Sequence, residues 1–411
     1  MSVIVVSEQL RSPRFHYPKT MASADIPAQS AKSKATLAYF LSISILGTFT
    51  ALGGPALPSL AANTSSTLDQ ISLCFVMGSL GYLLGSLLGG RAYDRFPGNR
   101  LLALTLLGVA ASGALIPTAH KLWWLLSIQL VLGLAQGAND VGCNTLLLWT
   151  HGRKSGPYVN GLHFSFGVGT SIAPLALAGI LSINSGFQWA FWIFALLCLP
   201  LAVWIWRLPE GSQLEGRGGT ASKSAVLFPA VLLVLAFLFY VGAEVGFGGW
   251  VYTYALTREM GTTITAAYLT SAFWGTFTVG RLLGVWISSR YQPIPVLIAD
   301  LLGCLASLSL IALWPDSIAA LWIGSVSCGL FMASVFPTML LLAGERLDIS
   351  GRVTSWFLVG GGAGSMILPW IIGQAFTRIG SSALPFIVLF AILLNLIFVM
   401  AFSSQTGRSQ E

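Results

Sequence analysis

Charge is what this sequence has least of. Asp, Glu, Lys and Arg together make up 9% of the 411 residues, against roughly 25% in an ordinary soluble domain. Histidine is nearly absent as well, with four in the chain. No HExxH, GxSxG or P-loop pattern occurs, so no catalytic constellation of a familiar kind can be assembled, and the chain is not expected to be an enzyme. The five cysteines (Cys74, Cys143, Cys198, Cys304, Cys328) all fall in apolar stretches and none forms a CxxC. Disulfides, a metal site and a metal cofactor are therefore not expected. The opening residues "MSVIVVSEQLRSPRFHYPKT" lack the basic-then-apolar order of a signal peptide.

What the chain has is apolar length. Hydrophobic residues reach 55% and mean hydropathy is +0.79, more apolar surface than one soluble core can hide. A span of the ~30 Å hydrocarbon layer needs about 20 residues. Twelve such segments lie near 35–60, 70–92, 100–118, 122–148, 157–182, 187–207, 225–253, 263–288, 293–313, 317–343, 353–377 and 383–403. The fold class expected is an all-α membrane protein. Residues 1–34 read as a disordered tail, 35–207 as a six-helix half, 208–223 as a polar linker, 224–403 as a second half and 404–411 as a short tail.

Basic residues set the orientation. With both tails and the even-to-odd loops on one side, that side holds all but three of the 21 Lys and Arg, the exceptions being Lys121, Arg258 and Arg378. Arg91 and Arg281 are counted there as helix-end residues. The positive-inside rule then puts both termini in the cytoplasm of a plasma or inner membrane. This asymmetry accounts for the net charge of +7, and no nucleic-acid partner is implied.

The halves repeat. "GVGTSIAPL" from Gly167 returns as "GAGSMILPW" from Gly362, 195 residues on, and "TLLLW" at Thr145 as "TMLLLAGER" at Thr338, 193 residues on. Six helices per half is an even number, so both halves share one orientation, related by an axis along the membrane normal.

The loop "GGRAYDRFPGNR" resembles the loop 2–3 signature of the major facilitator superfamily, with Gly90, Asp94, Arg95, Gly98 and Arg100 in the signature positions. With twelve spans and a two-half repeat, the resemblance covers the chain after residue 34. It implies a twelve-helix transporter, monomeric by family default. It also implies that Asp94 and Arg95, with Gly90 and Arg100, form a latch steadying the outward-open state. "GANDVGCNTLLLW", "NGLHFSFGVGTSIAPL" and "YVGAEVGFGGWVYTYA" resemble the fucose:proton symporter and sodium-dependent glucose transporter branch, which carries an acid in helix 4, matched by Asp140. The proton-coupled fucose members also use an acid in helix 1, and helix 1 here has none.

The residues themselves point to a cavity. A carboxylate at the centre of a membrane helix costs about 2.5–3.5 kcal/mol and usually faces a cavity or partner. Gln136, Asp140 and Asn144 share a helix face at four-residue spacing. Asp140, with Asn144, is therefore the candidate coupling-cation site. His163 and Asn160, one helix on, are placed within reach, so an Asp140–His163 proton relay is one reading. A sodium site from Asp140, Asn144 and Thr170 is the other, with His163 tilting the choice towards protons. The bland alternative is that Asn139, Asp140 and Asn144 only knit helices together, and that His163 merely packs.

Helix 7 carries Glu244 among Gly242, Gly246, Gly248 and Gly249, which predicts a bent or broken helix, the usual place for a substrate site. Candidate substrate contacts are Gln136, Asn139, Asn160, Tyr240, Glu244, Trp250 and Trp274, since sugar hydroxyls pair with carboxylates and amides while sugar rings stack on aromatics. Any single Trp is more commonly belt or core. The expected function is alternating-access symport of a hexose-like sugar with H+ or Na+, the bilayer being the other partner. The alternative is a proton-coupled multidrug or metabolite exporter of the same fold. The helix 5 stretch "GTSIAPLALAG" lacks the Gly-Pro common in such antiporters.

Overall fold

The computed structural model describes residues 29–183, 186–210, 227–347 and 351–407. Twelve helical spans make it up: α1 (Gln29–Asn63), α2 (Leu68–Tyr93), α3 (Gly98–Leu115, prolonged by a 3-10 turn Ile116–Thr118), α4 (Leu122–His151), α5 (Gly156–Ser182), α6 (Gln188–Trp206), α7 (Leu227–Thr257), α8 (Thr263–Ser288), α9 (Pro293–Leu313), α10 (Ile318–Arg346), α11 (Gly351–Arg378) and α12 (Ala383–Gly407). Two are interrupted, α2 at Ser72 and α10 at Ala333–Ser334. Ten of the twelve are long and apolar enough to cross a membrane by composition alone. The other two are α4 and α8, which are long enough but carry the polar residues of the interior site.

Most of the expected segments coincide with helices. Residues 29–34, expected to be tail, already belong to α1, and 404–407, also expected to be tail, end α12. Residues 1–28, 211–226 and 408–411 lie outside the described set. The helix limits repeat at one offset: α2 starts at 68 and ends at 93, α8 at 263 and 288, each 195 apart. That offset also relates α4 to α10, in place of the 193 suggested by the Thr145 and Thr338 stretches.

Small residues decide which helices lie closest. Gly81 and Gly85 of α2 face Gly133 and Gly137 of α4, and a Cβ added at Gly85 would sit 2.0 Å from the Leu134 carbonyl oxygen. At Gly137 it would sit 2.1 Å from that of Tyr82. These GxxxG pairs let two backbones touch, the usual means of joining helices where lipid supplies no hydrophobic drive. In the second half Gly364 of α11 meets the Leu238 carbonyl of α7 in the same way, at 1.9 Å.

The glycines of α7 have a similar use, which corrects the expectation of a broken helix. The helix is continuous from Leu227 to Thr257. Its Gly248 accommodates the Trp274 ring, and Gly249 takes Phe75 and approaches Gly54 of α1. They are spent on close packing across helices rather than on a break.

The two halves meet along α2 with α11, α5 with α8, and α1 with α7. The hydrogen bonds between halves run from the end of the bundle away from the start of α1 to about its middle. Thr377 donates to Asp69 Oδ1 at 3.0 Å, and Gln374 Nε2 to the Asp69 carbonyl at 3.1 Å. Ser365 donates to Ser79 at 3.0 Å, Ser271 to the Ser171 carbonyl at 2.6 Å, and Ser171 pairs with Thr278 at 3.3 Å. Phe75, Trp250 and Phe376 stack behind them. That end is sealed. At the other end Asn160, His163 and Phe164 of α5 are exposed although His163 lies within electrostatic reach of interior charges on both halves. The bundle is thus a funnel open at the end where α1 starts.

Candidate functional site

The interior site begins with the α2–α4 glycine contact. Because Gly137 lies against the backbone of Tyr82, the Tyr82 hydroxyl reaches across and donates to Asp140 Oδ2. From one turn further along α4, Asn144 Nδ2 donates to Asp140 Oδ1 at 3.0 Å and to the Asp140 carbonyl at 3.0 Å. The carboxylate is therefore held by two donors, one per oxygen. Charge-assisted hydrogen bonds of this kind are roughly twice as strong as neutral ones. The phenol oxygen and the two carboxylate oxygens form an oxygen-rich cluster of the kind hard cations accept.

Asn144 is bonded to Asp140, and His163 of α5 lies within electrostatic reach of the carboxylate. Tyr82 is not singled out by the sequence; within "LGYLLG" it reads as one more apolar-segment aromatic, and only the glycine spacing around it hints at a close helix partner. Other candidates have different employment. Asn139 is buried and ties three helices, accepting from Ser42 at 3.1 Å and donating to Thr105 at 3.3 Å. Gln136 is buried with its amide 3.5 Å from the Leu46 carbonyl of α1. Thr170 is buried and donates to its own helix at Gly167. Asn160 is exposed at the mouth.

On the second half, Glu244 is partly buried with the Tyr240 hydroxyl beside it and Arg281 of α8 within electrostatic reach. Tyr240 is fully buried, and its hydroxyl donates to the Met332 carbonyl, left free where α10 breaks. Trp250 corrects the expectation of a substrate contact. It is fully buried in the sealed end, its indole donating to the Pro369 carbonyl at 2.9 Å, so it closes the bundle rather than lining the funnel. Trp274 is 5% exposed and its buried indole nitrogen has no hydrogen-bond partner.

Arg281 is a second correction. The helix continues past it to Ser288, about 10 Å at ~1.5 Å per residue. It is an interior cation, and it does not count among the basic residues of the loops.

Around the loop 2–3 signature, Asp94 ends α2 and is exposed, as is Arg95; Gly90 faces open space. The Glu210 carboxylate caps the start of α3, accepting from the Asn99 N–H at 3.0 Å and the Arg100 N–H at 3.3 Å. Asn99 in turn donates to the Pro209 carbonyl at 2.8 Å and accepts from the Tyr39 hydroxyl at 2.8 Å. A carboxylate at a helix N-terminus is favourably placed. The chain after α6 is thereby tied to the signature loop, a link hidden in a stretch that reads as plain linker.

Two six-helix bundles closing on a charged interior that is open to one side define a membrane transporter. The chain belongs to the Major Facilitator Superfamily, whose model matches residues 39–369. It is 30% identical over 353 residues to sodium-dependent glucose transporter 1 of Xenopus laevis, covering 78% of this chain and 71% of that protein. It is 28% identical to the human protein of the same name over 367 residues, covering 80% and 71%. Among solved structures it is similar to a D-xylose-proton symporter, with a TM-score of 0.75 at 14% identity over 90% of this chain and 97% of that one. The chain is a multi-pass membrane transporter of this superfamily and not an enzyme.

Proposed function

We propose that this transporter carries a hexose or similar small polyol in symport with sodium, by alternating access, and that Asp140 binds the ion. The observation that carries the reading is the Asp140 carboxylate in the bundle interior, held by Tyr82 and Asn144 beside a funnel open at one end. A charge kept there at a cost of a few kcal/mol has a use if it is neutralised and restored once per cycle. The sodium-dependent name of the relatives favours sodium, and the oxygen cluster around Asp140 suits it. A proton is the second reading, favoured by His163 within reach of the same carboxylate. Both termini lie in the cytoplasm by the distribution of basic residues, which makes the funnel an inward-facing one. Asp94 and Arg95, with Gly90 and Arg100, act when the mouth closes. The protein works as a monomer.

The test is uptake of labelled hexoses into proteoliposomes with sodium and proton gradients imposed separately. Accumulation driven by sodium alone supports the reading; accumulation by protons alone moves the ion to the second reading. Asp140→Asn should abolish accumulation yet keep downhill exchange of sugar. Undiminished accumulation in that variant refutes the role of Asp140, and dye efflux without sugar uptake would refute symport itself.

A further inference from the structure

On α8 two buried nitrogens without a hydrogen-bond partner lie on one helix face. Trp274 and Arg281 stand seven residues apart, two turns along one face. Each has a buried nitrogen with no hydrogen-bond partner, Nε1 of Trp274 and Nε of Arg281. Buried donors left unpaired are costly, on the order of 1–3 kcal/mol each, and a native site that keeps two of them on one face needs a reason. Between them lies Phe277, with its ring 5.5 Å from that of Trp274 and the Arg281 guanidinium carbon 4.6 Å above its centroid. Arg281 is not neutralised by a direct partner. Glu244 and His163 are within electrostatic reach, yet among the described residues the one ion pair is Arg258 with Asp316, elsewhere in the bundle.

We infer that Trp274 and Arg281 are substrate-binding donors which, with Glu244 as acceptor, form a site for an uncharged polyhydroxy compound. This rests on the symport reading above and names the substrate class of the same site. A guanidinium offers a fork of N–H donors and a carboxylate accepts from two hydroxyls. Neighbouring hydroxyls on a sugar both accept and donate, so one molecule can answer both sides. Charge selects against the alternatives. Glu244 and Arg281 sum to zero, so a neutral guest leaves the interior balanced. A carboxylate guest on Arg281 would set its charge near Glu244, and a cationic one on Glu244 would meet Arg281, in a medium where such repulsions are far stronger than in water. The Phe277 ring beneath the guanidinium is fully buried and holds it in place.

The experiment uses the full chain in proteoliposomes, with Trp274→Phe, which keeps the ring and removes one donor, and Arg281→Gln. Each should raise the hexose KM by about tenfold, the effect of one lost hydrogen bond of this strength. The half-saturating concentration of the coupling ion should stay unchanged. For Trp274→Phe, one monodeoxy hexose, lacking the hydroxyl met by the indole, should be transported alike by variant and parent. A hexose KM within twofold of the parent in both variants overturns the inference. So does a change confined to ion dependence, which would make Arg281 a counter-charge for Asp140. If the parent protein moves no hexose under either gradient, the symport reading itself has failed. Thermal-shift measurements then decide the site separately: stabilisation by neutral hexitols that Trp274→Phe loses supports it, and stabilisation by hexuronates alone overturns it.

Discussion

Replacing Tyr82 by Phe removes one hydroxyl and leaves the ring. The lost interaction is the hydrogen bond to Asp140 Oδ2. Bonds to a charged group contribute about 1.5–3 kcal/mol, but Tyr82 is 36% exposed, so water replaces part of it and the lower end applies. A difference of about 1.4 kcal/mol is tenfold in an equilibrium constant. The sense of the change depends on the ion. If sodium binds, the phenol oxygen is one of its ligands and the half-saturating sodium concentration rises about tenfold. If a proton binds, the lost donor had favoured the ionised carboxylate, and the half-saturating proton concentration falls about tenfold. The assay is hexose uptake against ion concentration at fixed sugar, in proteoliposomes, with the KM for sugar measured alongside. An ion dependence within twofold of the parent would refute the placing of Tyr82 on the coupling carboxylate. A large rise in sugar KM with unchanged ion dependence would reassign Tyr82 to the substrate.

Other perturbations read other parts of the structure. Gly137→Ala drives a methyl to 2.1 Å from the Tyr82 carbonyl oxygen; overpacking of this kind costs about 1–3 kcal/mol, so lower thermal stability in detergent and loss of coupled uptake should appear together. Asp69→Ala removes the Thr377 bond that seals the far end, worth about 1 kcal/mol; spin-label distances should show roughly a fivefold shift of population towards the state open at that end. Glu210→Gln keeps one acceptor for the Asn99 N–H but loses the charge at the start of α3, and should cost under about 1 kcal/mol of stability without altering substrate KM. Asp300→Asn should still accumulate substrate, because Asp300 accepts from Ser334 at 2.6 Å and an amide oxygen serves as well; a collapse like that of Asp140→Asn would make it a second ion carrier.

The spans, their number and the pairing of halves are legible in the sequence because a bilayer demands apolar length and little else. Asp140 and Glu244 are legible for the same reason, since a lone acid in such a run stands out. What the sequence conceals is contact between segments far apart in the chain. Tyr82 sits 58 residues from Asp140, and only the flanking glycines mark the helix contact that joins them. Arg281 reads as a helix-end cation by its place near the end of the span, although the apolar run LLGVWI follows it and the helix continues for two more turns. Trp250 and Trp274 have the same composition-level signature, yet one finds a carbonyl in the sealed end and the other finds none.

The repeat separates scaffold from site. At the offset of 195, the Asn139–Thr105 hydrogen bond of the first half corresponds to the Ser334–Asp300 bond of the second: the same two helices are joined at the same place by different residues. The interior charges do not repeat. Counting by the same offset, Asp140 falls on Val335, Tyr82 on Phe277, Glu244 on Phe49 and Arg281 on Ser86. Where one half has chemistry the other has an apolar or neutral side chain. A structure that needed these groups only to hold helices together would have had reason to keep them in both halves, as it kept the α3–α4 and α9–α10 bonds. Their one-sided placement fits a division of labour, with the ion on α2 and α4 of the first half and the substrate on α7 and α8 of the second. His163 of α5 lies within electrostatic reach of both Asp140 and Arg281, so it bridges the two sites at the α5–α8 seam. Its replacement by Gln should therefore weaken the dependence of sugar KM on ion concentration more than it changes either affinity alone. Equal sugar KM values at low and high ion in the parent protein would show that there is no such coupling for His163 to carry.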